Sequence, residues 1–211
     1  MRKLPVYLVL DTSGSMSGEP IQSVVNGMQM LVSGLRQDPQ ALESAFLSVV
    51  TFDSRAQQVV PLTDLASFQM PPLTASGTTA LGEALSLVAQ CAGNEVTKST
   101  PVKKGDWRPL VFLMTDGVPT DDWRRGLANF QASRWGVVVC CAAGQDADTK
   151  ILQQISECVV KLDIADSKTL AAFFKWVSAS ISTSSKSVNE TNKQVAGMDQ
   201  LPPPPPEITI V

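Results

Sequence analysis

Val6-Tyr7-Leu8-Val9-Leu10-Asp11-Thr12-Ser13-Gly14-Ser15 joins an unbroken apolar run to one carboxylate and two serine hydroxyls at alternating positions. A run this short and this apolar reads as a strand buried on both faces, as in a parallel sheet covered by helices. Glu19-Pro20 then marks the first turn of a helix, because proline fits the first helical position and an acidic residue suits the positive helix end. Asp11, Ser13 and Ser15 therefore lie on the loop leaving the carboxyl end of a strand, which is where open α/β sheets bind ligands. The donors are all oxygen, a set that suits Mg²⁺, Mn²⁺ or Ca²⁺ rather than zinc or copper. The same residue types also cap helices and make turns, so this loop does not decide the matter alone.

Two further stretches repeat the arrangement. Ser76-Gly77-Thr78-Thr79-Ala80 precedes a helical segment over 81–92, and a second apolar strand over 108–115 ends in Asp116-Gly117-Val118-Pro119. Ahead of them, Ile21, Val24, Val25, Met28, Leu31, Val32 and Leu35 recur at helical spacing and predict a helix over 21–35. Residues 45–52 read as a strand. Asp53-Ser54-Arg55 reads as a hairpin turn into 56–62, which alternates, contains Pro61 and so suits an antiparallel edge. A short helix over 64–70, a solvated polar loop over 93–106, helices over 123–135, 149–157 and 167–181, and strands over 136–143 and 158–162 complete the expectation. The fold class is α/β: a doubly wound, mostly parallel open sheet with one antiparallel edge strand and helices on both faces.

With Asp-x-Ser-x-Ser at 11–15, a Gly-Thr-Thr turn at 77–79 and a strand-terminal Thr-Asp-Gly at 115–117, the chain resembles von Willebrand factor A domains at their metal-ion-dependent adhesion site. The opening at 2–16 and Thr51-Phe52-Asp53 are similar to the small bacterial TerY-like proteins, stand-alone A domains associated with tellurite-resistance and stress gene clusters. The resemblance implies that Ser13 and Ser15 bind a divalent ion directly, that Asp11 and Asp116 act mainly through bound water, and that Thr79 does either. Thr78 replaces the family's usual second glycine, and the spacing to Leu81 and Leu85 favours Thr79 as the ligand. The implied ion is Mg²⁺, with Mn²⁺ and Ca²⁺ as alternatives. Neutral hydroxyls leave such an ion underneutralised, so that an Asp or Glu of a protein partner can complete its shell. The implied function is a cytoplasmic, non-enzymatic adaptor in a stress-signalling complex, with a protein kinase and a phosphatase encoded nearby. The hydroxyl-rich run 178–191 offers acceptors for phosphate.

At 211 residues the chain accommodates one α/β domain, expected over 1–183, with a flexible Ser-rich and Pro-rich tail over 184–211. Its formal charge of −3, with charged groups scattered evenly along the chain, gives no electrostatic reason to bind nucleic acid. No apolar stretch approaches a membrane span, and the first strand starts too early for a signal peptide. Cys91, Cys140, Cys141 and Cys158 form no Cys-x-x-Cys pair and read as buried thiols. The absence of histidine removes His-based nucleophile systems and His-ligated zinc. One enzymatic alternative is a Mg²⁺-dependent phosphotransferase or phosphatase with Asp11 as nucleophile. The position two residues on, where such enzymes keep an acid, is Ser13. Asp53, Asp121 and Asp122 lie near the same loops and are expected mostly to cap the helices that follow.

Overall fold

The computed structural model describes residues 2–195 and 197–211. Leu4–Asp11 forms β1, an interior strand of the sheet, and all eight residues are buried. Its side chains alternate between two separate cores. Leu4, Val6, Leu8 and Leu10 join one core, while Tyr7 and Val9 join the other, which is why the run lacks any polar alternation.

Glu19–Gln37 (α1) follows and packs Val24, Met28, Leu31 and Leu35 on the first face. Asp38 ends α1 and caps the short α2, Pro39–Ser44, by accepting from the Gln40 amide at 3.0 Å. Ala45–Phe52 (β2) pairs parallel to β1, and Ala56–Asp64 (β3) returns antiparallel to it, as the alternating sequence and Pro61 predict. The expected helix over 64–70 is instead a single turn, in which the Asp64 carboxylate accepts from the Ser67 amide at 2.9 Å. Leu65 and Phe68 still reach the core from that turn.

Leu81–Glu95 (α3) then crosses the opposite face to Leu110–Thr115 (β4), which lies on the other side of β1. Trp123–Gln131 (α4), Val137–Ala143 (β5), Thr149–Ile155 (α5) and Cys158–Leu162 (β6) extend the sheet outward. The strand order is β3-β2-β1-β4-β5-β6-β7 in a seven-stranded sheet. The β1–α1–β2 crossover steps one way along the sheet, and the connection from β3 through α3 to β4 steps back past β1 the other way, which puts α1 and α3 on opposite faces. Thus α1 and Ser167–Thr191 (α6) cover one face, while α3, α4 and α5 cover the other. The order reverses between β1 and β4, so their carboxyl-end loops part and leave a crevice.

Residues 184–211 depart from the expected flexible tail. The last helix runs on to Thr191 and ends at Asn192 in the left-handed conformation. Val188, Val195, Leu201 and Ile208 are buried in the first core, and Thr209–Ile210 (β7) pairs antiparallel with β6. The proline run is tied down by the Trp176 indole, which donates to the Pro202 carbonyl at 2.8 Å. Composition missed this because widely spaced apolar residues bury well when a completed surface awaits them. Ser180, Ser184 and Ser185 of the hydroxyl-rich run are buried as well, which removes them as phosphate acceptors in the folded chain.

All four cysteines are free and buried, with Cys140 and Cys141 on opposite faces of β5. Burial pushes Cys91 and Cys158 up to about 11 and raises Cys140 and Cys141 further. Since the thiolate is the reactive form, iodoacetamide at neutral pH is expected to leave the folded protein unmodified and to modify all four sites in denaturant. Mass spectrometry reads both states, and rapid labelling of Cys140 without denaturant would contradict the packing.

Candidate metal centre

Asp11 ends β1 fully buried. One carboxylate oxygen accepts from the Ser13 amide at 2.8 Å and the other from the Thr115 hydroxyl at 2.5 Å. These bonds turn the chain sharply, and Gly14–Met16 follows as one turn of 3₁₀ helix. The Ser13 and Ser15 hydroxyls are thereby brought 3.0 Å apart, and Ser15 donates to the Asp116 carboxylate at 2.8 Å. A single chain of oxygens thus links the loops after β1 and β4 across the crevice.

The third loop is fastened on both sides. Its Ser76 amide donates to the Thr12 carbonyl at 2.8 Å, and the Gly14 amide donates to the Gly77 carbonyl at 3.1 Å. Gly77 sits at φ +71°, where a side chain would also run into the Ser54 hydroxyl, so glycine is required there. Thr78 turns outward, its hydroxyl and amide both meeting Ser54. Thr79 is buried, and its hydroxyl lies 3.6 Å from the point where a Cβ on Gly117 would stand. The structure therefore joins Asp11, Ser13, Ser15 and Asp116 through hydrogen bonds, buries Thr79 beside Gly117, the neighbour of Asp116, and turns Thr78 to Ser54.

Three residues outside the candidate ligand set hold this arrangement together. Thr115 fixes Asp11 and also accepts from the Gly117 amide at 3.3 Å. The Thr120 hydroxyl accepts from the Thr79 amide at 3.0 Å. Asp121, expected to cap the helix after it, accepts instead from the Gly82 and Glu83 amides at 3.0 and 2.8 Å, capping α3 from the neighbouring loop. Asp122 does cap α4, and Asp53 shapes the hairpin by accepting from the Arg55 amide. A threonine immediately before the strand-end Asp-Gly was the only local signal for Thr115; nothing local marked Thr120. The α3–α4 contact that sets these loops relies on Gly82, where a Cβ would come within 2.6 Å of the Asp122 carbonyl.

Burial raises the Asp11 carboxyl above its ordinary range, and the nearby Asp116 charge adds to this against the hydrogen bonds from Ser13 and Thr115. Burial and Asp146 likewise raise Asp116. A crevice of desolvated carboxylates favours a cation. Six oxygens at the Mg²⁺ distance stand about 2.9 Å apart along an octahedral edge, and the Ser13–Ser15 and Ser15–Asp116 separations of 3.0 and 2.8 Å match it. Hydrogen bonds have the same length, so the match shows compatibility. Among the described residues no three His, Cys, Asp or Glu side chains cluster for a metal, which means hydroxyls must supply much of any coordination here.

The von Willebrand factor type A domain profile matches residues 6–175. An uncharacterized protein of Synechocystis sp., sll0103, is 35% identical over 123 residues, which is 55% of this chain and 26% of that protein. A von Willebrand factor type A structure from Catenulispora acidiphila superposes with a TM-score of 0.64 at 19% identity, covering 86% of this chain and 43% of that one. Proximal thread matrix protein 1 from the mussel byssus, solved with a zinc-occupied MIDAS motif, superposes with a TM-score of 0.60 at 20% identity, covering 84% and 45%. At such identities the likeness concerns the fold, and this chain spans less than half of each of these relatives.

Proposed function

The chain belongs to the von Willebrand factor type A domain family, and from that premise we propose that it is a metal-ion-dependent protein-binding adaptor. Its ion is Mg²⁺, with Mn²⁺ and Ca²⁺ as alternatives, held by Ser13 and Ser15 directly, by Asp11 and Asp116 mainly through water, and by Thr79 directly or through water. The observation that carries this reading is the continuous line of oxygens from Ser13 through exposed Ser15 to Asp116. An ion set there would face outward with a coordination position open to an Asp or Glu of a partner.

The TerY-like opening supports a setting in a bacterial stress or tellurite-resistance complex with a kinase and a phosphatase, and four buried free thiols accord with the reducing cytoplasm. No helix among the described residues is long and apolar enough to cross a membrane. The adaptor is non-enzymatic. Asp11 as a phosphate acceptor fits poorly, because it is fully buried with both oxygens engaged and has Ser13 where an acid is needed.

The decisive experiment reconstitutes the protein with the kinase and phosphatase encoded beside its gene, in Mg²⁺ and in chelator. Complex formation is expected in Mg²⁺ and expected to be lost both in chelator and for Ser15→Ala; equal binding in both buffers would reject a metal-bridged interface. The choice between threonines is tested by calorimetric Mn²⁺ titration. Thr79→Val is expected to weaken binding about tenfold, the equivalent of one lost interaction of about 1.4 kcal/mol, whereas Thr78→Val leaves it unchanged.

A further inference from the structure

At the opposite end of the sheet, where β4 begins, lies a cleft of about 630 Å³. It is separated from the metal centre by the length of β4, six residues or about 20 Å. Arg2, Lys98, Arg108 and Arg134 line it, together with Trp107 and Trp135. The lining's one carboxylate, Asp106, has both oxygens engaged by the amides of Lys3 and Thr97 at 2.9 and 2.8 Å. A chain of net charge −3 thus concentrates four cations in one concavity.

Arg2 is held in place. Its guanidinium lies 3.3 Å from the Trp107 ring centroid and donates to the Gly105 carbonyl at 2.6 Å. Lys98, Arg108 and Arg134 are exposed. Among the described residues the ion pairs are Lys168–Glu207 and Lys186–Asp38, so these three cations have no carboxylate partner. Helices α3 and α4 end beside the cleft, and their terminal carbonyls attract positive charge. That accounts for Lys98 and Arg134, which follow those helices, but Arg2 and Arg108 enter from the strand ends.

We propose that this cleft binds a small organic phosphate. Guanidinium forks match phosphate oxygens in geometry and charge, and the volume is that of a small-molecule site with apolar walls. Trp135 is half-buried against Phe130, its ring stacked at 4.5 Å, which makes it a firm wall for the organic part.

The test uses the full chain in chelator, so that phosphate cannot bridge to an ion at the other end. Pyrophosphate and ADP serve as probes, read by calorimetry and tryptophan fluorescence. Saturable binding of at least one probe is expected, weakened tenfold or more in Arg108→Glu/Arg134→Glu. Ser15→Ala, at the metal centre, retains it. Arg125→Glu, an exposed charge reversal at the other end of α4, also retains it and controls for overall field. Absence of binding at millimolar probe, undiminished binding by the double variant, or an equal loss in Arg125→Glu overturns the proposal.

Discussion

Asp11→Asn is expected to abolish the rise in melting temperature that Mg²⁺ or Mn²⁺ produces, while leaving the protein in chelator at least as stable as the parent. At a hundredfold excess over its dissociation constant, a ligand of the folded state adds about 2.7 kcal/mol, or roughly 5–10 °C for a domain of this size. The amide keeps the shape of the carboxylate, can accept from the Ser13 amide and can meet the Thr115 hydroxyl. What it removes is the charge. Because burial raises the folded-state pKa of Asp11, ionisation opposes folding: stability is fully present below the unfolded carboxylate pKa and falls as pH rises through the raised value. In chelator the parent should lose stability over that window, and Asp11→Asn should lose less. Thermal melts across pH, with and without metal, measure both effects. A metal-induced shift retained in Asp11→Asn would place the cation elsewhere.

A chain ending at residue 183 is expected not to fold. It lacks Val188, Val195, Leu201 and Ile208, all buried in the core beneath α6 and β6. Burial of each such side chain contributes about 1.5–3 kcal/mol, and even after the entropy regained by removing the segment the loss rivals a typical domain stability of about 5–15 kcal/mol. Trp176 would also lose its carbonyl partner at Pro202. Circular dichroism and thermal unfolding test this directly. A cooperative melt within about 4 °C of the full chain, the scale of 1 kcal/mol, would mean that 184–211 is an appendage after all.

The charge distribution shows how far a linear reading reaches. Along the chain the cations are scattered evenly, yet Arg2, Lys98, Arg108 and Arg134 come from three separate segments and meet in one cleft. Their sequence separation carries no trace of that meeting, because it depends on which strands end side by side. That the candidate ligands lie near one another was legible for the opposite reason. Asp11, Ser13 and Ser15 lie within one turn, and Asp116 follows an unmistakable buried strand, so short-range spacing already approximated their geometry.

By itself the sequence determined the mostly parallel sheet, the antiparallel β3 and the loops that carry the candidate ligands, since unbroken apolar runs, alternation at an edge and glycine beside oxygen donors are local signals of burial and turning. Only the tertiary structure decided the fate of 184–211, the contact of Thr78 with Ser54, and the roles of Thr115, Thr120 and Asp121. Each of those rests on a partner distant in the chain: β6 for Thr209 and Ile210, Ser54 for Thr78, Asp11 for Thr115, Thr79 for Thr120, and the α3 amides for Asp121. A side chain's polarity states what kind of partner it needs, but which partner it finds is set by the packing of the two faces around β1.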